Sequence, residues 1–215
     1  MMKKFEPTAE SKINWFGRTL YRIKACIDFT TASGDEVKAG DLGGYVEKEE
    51  NLSHDGKAWV WDDAKVWGNA KVCGDAKVCG DAVVCGNAVV CGDASIFSAK
   101  HIFCVTPIGQ YASSLTVFRT KKCGLKISFE FKTYEVEEFR KAIHDSWDEE
   151  YVDIAEGAIS LAKKHIDLTP EKSFKDCPFC GGKAELDEDS EVVICTECGS
   201  TAKKTIWNNR KSQQP

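Results

Sequence analysis

The sequence contains no run of 18 apolar residues and no charged leader followed by an apolar segment, because the start MMKKFEPTAE turns polar at once. The first absence argues against a membrane-spanning helix, and the second argues against a secretory signal peptide. An excess of positive charge is also absent, since the net charge is -5. This balance argues against a general nucleic-acid-binding protein. We therefore expect a cytoplasmic protein with no membrane partner.

Cysteine, by contrast, is abundant, with 11 residues among 215. In a secreted chain this number would predict disulfides, whereas in the cytoplasm it favours thiols and metal ligands. The hydrophobic fraction of 42% is normal for a folded protein. The chain is therefore expected to fold, with its cysteines reduced or bound to metal.

A six-residue unit repeats eight times between residues 55 and 102. Its last position is valine or isoleucine in every unit, and the position two residues earlier is alanine in the first seven. A period of six fits neither an α-helix nor a long strand, but it fits a solenoid of short strands whose aliphatic residues fill the interior. Gly-Asp or Gly-Asn pairs supply the turns between these strands.

This run resembles the hexapeptide-repeat left-handed β-helix family, in which three hexads form one triangular coil and residues 18 apart stack. The resemblance implies a mainly β fold, with a short left-handed parallel β-helix over residues 55–104 and an N-terminal cap of strands over residues 1–54. Many members are acyltransferases that use coenzyme A, and they usually need a histidine at a coil edge and a loop that interrupts the repeat. No loop interrupts this run, so we assign no catalytic residue and keep the acyltransferase as an alternative.

The residue after each aliphatic position is expected to point outward, and in this run it is always apolar. These residues are Trp61, Trp67, Cys73, Cys79, Cys85, Cys91, Phe97 and Phe103. Stacking by 18 predicts three apolar ladders on the outside of the coil, so a partner chain or the C-terminal half should cover them. Because most proteins of this family resemble trimers packed side by side, we expect a homotrimer. Metal binding and disulfides are poor explanations for these cysteines.

Residues 105–167 are predicted to form a small α+β unit: a hairpin across the turn at 121–124, followed by two helices. Thr133 is expected to cap the first helix, and Ser146 with Glu149 forms a capping box for the second. The buried face of the second helix is predicted to contain Ile154, Ala158, Leu161 and Ala162.

The start of this unit also carries residue types that suit a small anion. Residues 105–134 contain five basic residues and one acidic residue. Glycine allows close approach, hydroxyls donate hydrogen bonds and an arginine grips a phosphate with two parallel bonds. The candidate ligand-binding residues are Gly109, Ser113, Ser114, Thr116, Arg119 and Lys121. A polar hairpin with solvated lysines is the alternative interpretation.

After a linker at residues 168–176, the segment 177–215 contains two Cys-x-x-Cys pairs. Cys177, Cys180, Cys195 and Cys198 have the spacing of a tetrahedral site for structural Zn²⁺. With the WNNR sequence at 207–210, the segment resembles the restriction alleviation (Lar) family of small zinc ribbons carried by phages and prophages. The resemblance implies a C-terminal zinc ribbon.

The N-terminal segments FGRTLYRIKACIDF and VKAGDLGGYVEKEENLS, together with the hexads, also resemble hypothetical proteins of phages and prophages. The two resemblances together predict a phage counter-defence protein in the cytoplasm of the infected bacterial host. Its partner is either a small anionic nucleotide, sequestered without cleavage by an oligomeric sponge, or a host defence protein such as a restriction enzyme, inhibited by contact. The sponge would hold a cyclic nucleotide or an ADP-ribose derivative.

Overall fold

The computed structural model describes residues 3–109, 112–130, 132–169, 184–187, 192–195 and 197–203. The fold is mainly β with two α-helices, as expected. The chain divides into two compact units, Met1–Thr169 and Pro170–Pro215. None of the helices in the described ranges is long and apolar enough to cross a membrane.

The first unit begins with an antiparallel sheet that leads into the repeats. Strand β1 (Phe5–Ile13) pairs with β2 (Thr19–Ala25), and β2 pairs with β5 (Leu42–Val46). Between them, β3 (Phe29–Thr30) and β4 (Glu36–Val37) form a small hairpin. A short 3-10 helix (Glu49–Asn51) follows β5. Strand β5 also pairs in parallel with the repeats, so this sheet is continuous with them.

The hexads form a stack of seven two-residue strands, which we call the stack. They are β6 (Trp59–Val60), β7 (Lys65–Val66), β8 (Lys71–Val72), β9 (Lys77–Val78), β10 (Val83–Val84), β11 (Val89–Val90) and β12 (Ser95–Ile96). Lys65 pairs with Val83, Lys71 with Val89 and Lys77 with Ser95, all in parallel. The predicted pairing of residues 18 apart is therefore confirmed. The strands are short because each ends at a tight corner, such as Gly74, whose φ of +66° favours glycine.

The interior of the stack contains the residues that the repeat predicts. The valine or isoleucine at the last position of each hexad, from Val60 to Ile96, and every alanine from Ala58 to Ala94 are buried in one core cluster. The strand residue between them, such as Lys65 between Ala64 and Val66, lies on the outside because strand side chains alternate. The stack therefore offers a regular row of outward positions along each side.

A four-stranded antiparallel sheet follows the stack, after a 3-10 helix at Ala99–His101. Its strands are β13 (Ile102–Ile108), β14 (Ser113–Arg119), β15 (Leu125–Phe129) and β16 (Lys132–Glu135), paired in chain order. The predicted hairpin, β14 with β15, is confirmed. Strand β14 is buried on both sides: Phe118 joins the core of the stack, whereas Leu115 and Val117 join a second core beneath the helices.

The helices are α1 (Val136–Ser146) and α2 (Glu149–His165). The predicted caps are wrong: Thr133 lies in β16, and Ser146 donates its hydroxyl to Ala142 O at the end of α1. In α2, Ala158 and Ala162 are buried as predicted, but Ile154 and Leu161 are exposed. The buried face is turned toward Val152, Ala155 and Ile159 instead.

Each end of the stack has backbone groups that no further coil can pair, and other parts of the chain satisfy them. At the first coil, Lys4 Nζ donates to Ala58 O at 2.9 Å, Tyr45 N to Ala64 O at 2.8 Å and Asn51 Nδ2 to Ala70 O at 2.8 Å. These carbonyls occupy the same hexad position on the three sides. At the last coil, Val89 N donates to Thr116 Oγ1 at 3.1 Å. The segments outside the repeat therefore act as caps.

The second unit has a described three-stranded antiparallel sheet. Its strands are β17 (Ala184–Asp187), β18 (Val192–Cys195) and β19 (Thr201–Lys203), with β18 in the centre.

The capping role of Asn51 gives a stability prediction. Asn51 is fully buried, and Asn51→Asp places a carboxylate opposite the carbonyl oxygens of Gly68 and Ala70, to which the amide now donates. We expect the free energy of unfolding to fall by about 3 kcal/mol or more, measured by urea denaturation. Asn87→Asp adds the same charge at an exposed corner and should change it by about 0.5 kcal/mol or less. Equal effects of the two substitutions would contradict the capping role.

Lys4 gives a pH prediction, because burial lowers the pKa of its ammonium group from 10.5 to about 8. Below pH 8 the Lys4 ammonium is charged in the folded protein, and its burial destabilises the fold. Between pH 8 and 10.5 the folded protein has lost this proton while the unfolded chain still holds it, so the free energy of unfolding rises with pH until the unfolded chain also loses the proton. The stability of the wild type relative to Lys4→Met should therefore rise by up to about 3 kcal/mol between pH 8 and 10.5. Urea denaturation of both proteins across this range measures the difference, and a constant difference would contradict it.

Candidate functional site

A cleft of about 740 Å³ lies where one side of the stack meets the beginning of β14. Its lining residues come from the turn before the stack, from β8 and β11, from two corners and from the ends of the β14–β15 hairpin. They are Lys48, Glu50, Asn69, Ala70, Lys71, Asn87, Val89, Ala112, Ser113, Ser114 and Glu130. The cleft therefore combines repeated and non-repeated parts of the first unit.

The repeat itself places the central lining residues. Lys71 and Val89 are partners in the parallel pair β8–β11, and both occupy outward positions. Asn69 and Asn87 are also 18 residues apart, so their corners stack and Asn69 Nδ2 donates to Asn87 Oδ1 at 3.2 Å. Lys48 Nζ donates to Asn69 Oδ1 at 3.2 Å. These bonds hold a lysine and two amides in a row along the rim of the cleft.

The charges in the cleft are mixed, with two lysines and two glutamates among the lining residues. Ser113 Oγ donates to Glu130 Oε1 at 2.9 Å, which holds this carboxylate against the start of β14. Val89 and Ala112 supply apolar surface between the polar groups. The arrangement suits a ligand that has an anionic group, hydrogen-bonding groups and an apolar face.

Of the six predicted ligand-binding residues, only Ser113 and Ser114 line this cleft. Gly109 has a φ of +71°, and a Cβ there would lie 2.8 Å from Trp147 Cη2, so its close approach is to a side chain of the same chain. Thr116 is fully buried, and its Oγ1 accepts a hydrogen bond from Val89 N and donates one to Cys104 Sγ. Lys121 is exposed, and its backbone N donates to Asp93 O at the end of the stack.

Arg119 is buried and bonded to other residues of the chain, so it is not open to a ligand. Its side chain is 2% exposed, and one terminal nitrogen donates to Cys123 Sγ at 3.0 Å and to Thr169 O at 3.1 Å. The guanidinium carbon lies 4.6 Å from the ring centre of Phe97, a cation–π contact. Arg119 therefore ties the end of the first unit to the stack, at the opposite end of β14 from the cleft.

The cleft, and not the arginine, is the candidate site, and sequence reasoning missed most of it. Asn69, Lys71 and Asn87 gave no motif, because they occupy ordinary positions of a repeat, and Lys48 is a single lysine before the repeat. The signal that could have found the two asparagines is their place in the hexads, where the other units have aspartate, lysine or, in the last one, alanine.

Because acyltransferases with this repeat usually need a histidine at a coil edge, the candidates here are His101, in the last hexad, and His54, directly before the first. His101 is buried, Phe97 N donates to its Nδ1 at 3.2 Å, and burial is the main cause that lowers its pKa. His54 stacks on Phe5 and bonds to Glu49 Oε1 at 2.7 Å. Neither histidine lines the cleft. Both have contacts that explain them as parts of the packing.

The outward cysteines are partly covered by the chain itself. Cys91 lies 2.9 Å from Thr133 Oγ1 and 3.8 Å from Ser128 Oγ, so β15 and β16 cover this ladder. A hydrogen bond from Cys73 is the main cause that lowers the pKa of Cys91. Cys85, in the ladder with Trp67 and Phe103, stays exposed. The sheet thus covers one predicted ladder and leaves part of another open.

The prediction of structural zinc is corrected. Within the described ranges, no group of three or more histidine, cysteine, aspartate or glutamate side chains could hold a metal ion. Cys177 and Cys180 lie outside the described residues. Cys198 N donates to Cys195 Sγ at 3.4 Å, and Cys198 Sγ lies 3.0 Å from Ser200 Oγ. A pair of thiols does not supply the four ligands of a structural zinc site.

The comparisons with known proteins identify no relative: no protein-family model matches the sequence, and no curated protein matches it. The function is therefore inferred from the geometry of the cleft.

The environment of Arg119 predicts that it contributes to stability rather than to binding. Arg119→Ala removes the bonds to Cys123 and Thr169 and leaves space beside Phe97, so we expect the free energy of unfolding to fall by about 2–3 kcal/mol in urea denaturation. Lys121→Ala removes an exposed charge from the same hairpin and should change it by about 0.5 kcal/mol or less. An unchanged stability of Arg119→Ala would argue that the buried contacts are not formed.

Proposed function

We propose that this chain is a non-catalytic binding protein whose cleft sequesters a small anionic nucleotide, the role of a phage counter-defence sponge. The observation that carries the proposal is the lining of the cleft: two lysines, two asparagines, two serines and two glutamates surround an apolar floor. These groups match the parts of a nucleotide one by one.

The lysines suit the phosphate. Lys48 and Lys71 are the cationic residues among the lining side chains, and Lys48 is held in place by its bond to Asn69. A lysine ammonium binds phosphate as a compact point charge. The Ser114 hydroxyl also lines the cleft and can donate a further hydrogen bond, whereas the Ser113 hydroxyl already donates to Glu130.

The remaining groups suit the nucleoside. Asn87 Nδ2 has no hydrogen-bond partner among the described residues, since the bond from Asn69 uses its Oδ1; an amide of this kind can bond to the edge of a base. The carboxylates of Glu50 and Glu130 can accept hydrogen bonds from ribose hydroxyls. Val89 and Ala112 supply an apolar surface for the flat face of the base. Carboxylates beside lysines also disfavour a bare polyanion such as nucleic acid.

The scaffold supports binding without turnover. The parallel pairs 18 residues apart and the buried aliphatic position in each hexad support a left-handed β-helix, as in the hexapeptide-repeat proteins that the sequence resembles. The paired strands of the stack hold Lys71 and Asn69 in fixed positions. We infer a homotrimer, because part of the Trp67, Cys85 and Phe103 ladder is exposed. Sequestration by a stoichiometric sponge requires affinity and high copy number rather than catalytic groups.

The proposal predicts reversible binding that depends on one side of the stack. In calorimetric titration against cyclic nucleotides and ADP-ribose derivatives, at least one compound should bind and be recovered unchanged. Lys71→Ala should weaken that binding by about tenfold or more, because a lysine that contacts phosphate contributes about 1.4 kcal/mol or more. Lys65→Ala removes a lysine from the same position of the preceding hexad, on another side of the stack, and should bind normally.

Four outcomes would contradict the proposal. Absence of binding across the panel would overturn the nucleotide, and equal binding by Lys71→Ala and the wild type would overturn the cleft. Recovery of a cleaved compound, or coenzyme A binding with transfer of an acyl group, would replace the sponge with an enzyme.

A further inference from the structure

A smaller pocket of about 420 Å³ lies beside the cleft, at the corner of the stack that precedes β8 and β11. We call it the corner pocket. It shares three lining residues with the cleft and adds four of its own: Lys48, Asn69 and Asn87 are shared, and Arg18, Glu47, Gly68 and Gly86 are added. Because the two stacked asparagines line both pockets, a ligand longer than one nucleotide can extend from the cleft across them.

The corner pocket already binds one anionic group, the carboxylate of Glu47. Glu47 Oε2 accepts a hydrogen bond from Gly68 N at 2.6 Å, and both carboxylate oxygens accept from Arg18 Nη1, at 2.9 and 3.0 Å. The bond from Gly68 N is the main cause that lowers the pKa of this carboxyl group below its usual value. A backbone N–H at this corner and a guanidinium beside it therefore stabilise negative charge.

Gly86 repeats the corner of Gly68 without such a partner. The two glycines are 18 residues apart and have similar φ angles, +72° for Gly68 and +67° for Gly86, so they occupy equivalent places about 4.8 Å apart along the stack. Gly68 N donates to Glu47, whereas Gly86 N has no hydrogen-bond partner among the residues that the structure describes. Because Gly86 is exposed, its N–H is open to a ligand.

Arg18 keeps donors for a second anion. Its Nη1 bonds to Glu47, while its Nε and Nη2 have no partner in the described part of the chain, and the side chain is 49% exposed. A guanidinium presents five N–H donors and can bind a phosphate with two parallel bonds while it stays paired with a carboxylate. Lys48 adds an ammonium group to the same pocket.

The charge of the corner pocket suits a phosphodiester. Two cations, Arg18 and Lys48, and one carboxylate, Glu47, leave a net charge of +1 among its lining residues. A phosphodiester has a charge of -1, so one such group balances the pocket. The asparagines between this pocket and the cleft suit the edge of a base. A nucleoside, rather than a single bridging oxygen, would therefore separate a phosphate here from a phosphate in the cleft.

We propose that the corner pocket binds a second phosphate group, so that the ligand of this protein is a dinucleotide lying across Asn69 and Asn87. Gly86 N, Arg18 and Lys48 bind the second phosphate, and Lys71 binds the first in the cleft. This inference rests on the proposed function, which assigns the cleft to a nucleotide, and adds the number and places of the phosphates. A compound with a single phosphate fills the cleft alone.

The test compares matched ligands in calorimetric titration. Cyclic and linear dinucleotides are each paired with the mononucleotide of the same base, and for at least one base the dinucleotide should bind about tenfold more tightly or better. Arg18→Gln should remove this advantage and leave the mononucleotide affinity unchanged, because Arg18 does not line the cleft. Lys12→Gln removes an exposed cation that pairs with Asp63 at 2.7 Å, and it should bind both ligands like the wild type.

A charge-matched variant separates donation by Arg18 from neutralisation of Glu47. Arg18→Gln/Glu47→Gln removes both charges and keeps an amide oxygen at residue 47 that can accept from Gly68 N. It should bind the dinucleotide as weakly as Arg18→Gln does. Melting curves of both variants should match the wild type, because the Arg18 and Glu47 pair is largely exposed. Recovery of the dinucleotide advantage in the double variant would overturn the proposal.

Two further results would contradict the corner pocket. Equal affinity of the wild type for both members of every pair would overturn it, and so would an Arg18→Gln protein that keeps the dinucleotide advantage. Either result leaves the nucleotide sponge in place, since the cleft still binds. Absence of binding by every pair also overturns the dinucleotide, and the proposed function fails with it only when the ADP-ribose derivatives do not bind either.

Discussion

The structure depends on how the hydrogen bonds of the stack are completed at its two ends. A hexad pairs only with the hexads 18 residues before and after it, so the first and last coils leave backbone groups without a partner. Leaving a buried carbonyl or amide unpaired costs about 1–3 kcal/mol, and the stack has such groups on three sides. The chain meets this cost with three different donors at the first coil: Lys4 Nζ, the backbone of Tyr45 and the amide of Asn51. The segments that look irregular in the sequence are therefore the ones that allow a short stack to be stable.

At the other end the same requirement joins two cores. Thr116 accepts the bond from Val89 N, and the next residue on that side of β14, Phe118, enters the core of the stack. Leu115 and Val117 point the opposite way and pack with α1 and α2. One strand thus caps the stack and supports the helices, so damage to β14 should affect both. The buried position of Thr116 follows from this arrangement, and a residue with this task is not available to a ligand.

Regular features of this fold could be predicted from the sequence, whereas features set by long-range contacts could not. The period of six identified the buried valines and alanines and the pairing of residues 18 apart, because a repeat places every unit in the same environment. The apolar spacing of α2 fits a buried face that includes Ile154 or one turned toward Ile159, and only the position of the sheet decides between them. Arg119 and Gly109 have the residue types of an anion site, but their partners are Thr169 and Trp147, which are distant in sequence. The cleft was missed for the same reason, since it forms between residues 48 and 130.

The cleft also shows how a repeat acquires a specific site. Residues 18 apart occupy equivalent positions along one side of the stack, so Asn69 and Asn87 form a row. A row of equivalent positions does not by itself define one binding site. The site becomes unique where the row meets non-repeated residues: Lys48 binds one end of it, and Ser113 and Ser114 close the opposite wall. Substitutions within the hexads then change the groups offered to a ligand without disturbing the inward valines, because the two sets point in opposite directions. The caps that make the short stack stable are therefore also the parts that give one of its sides a binding site.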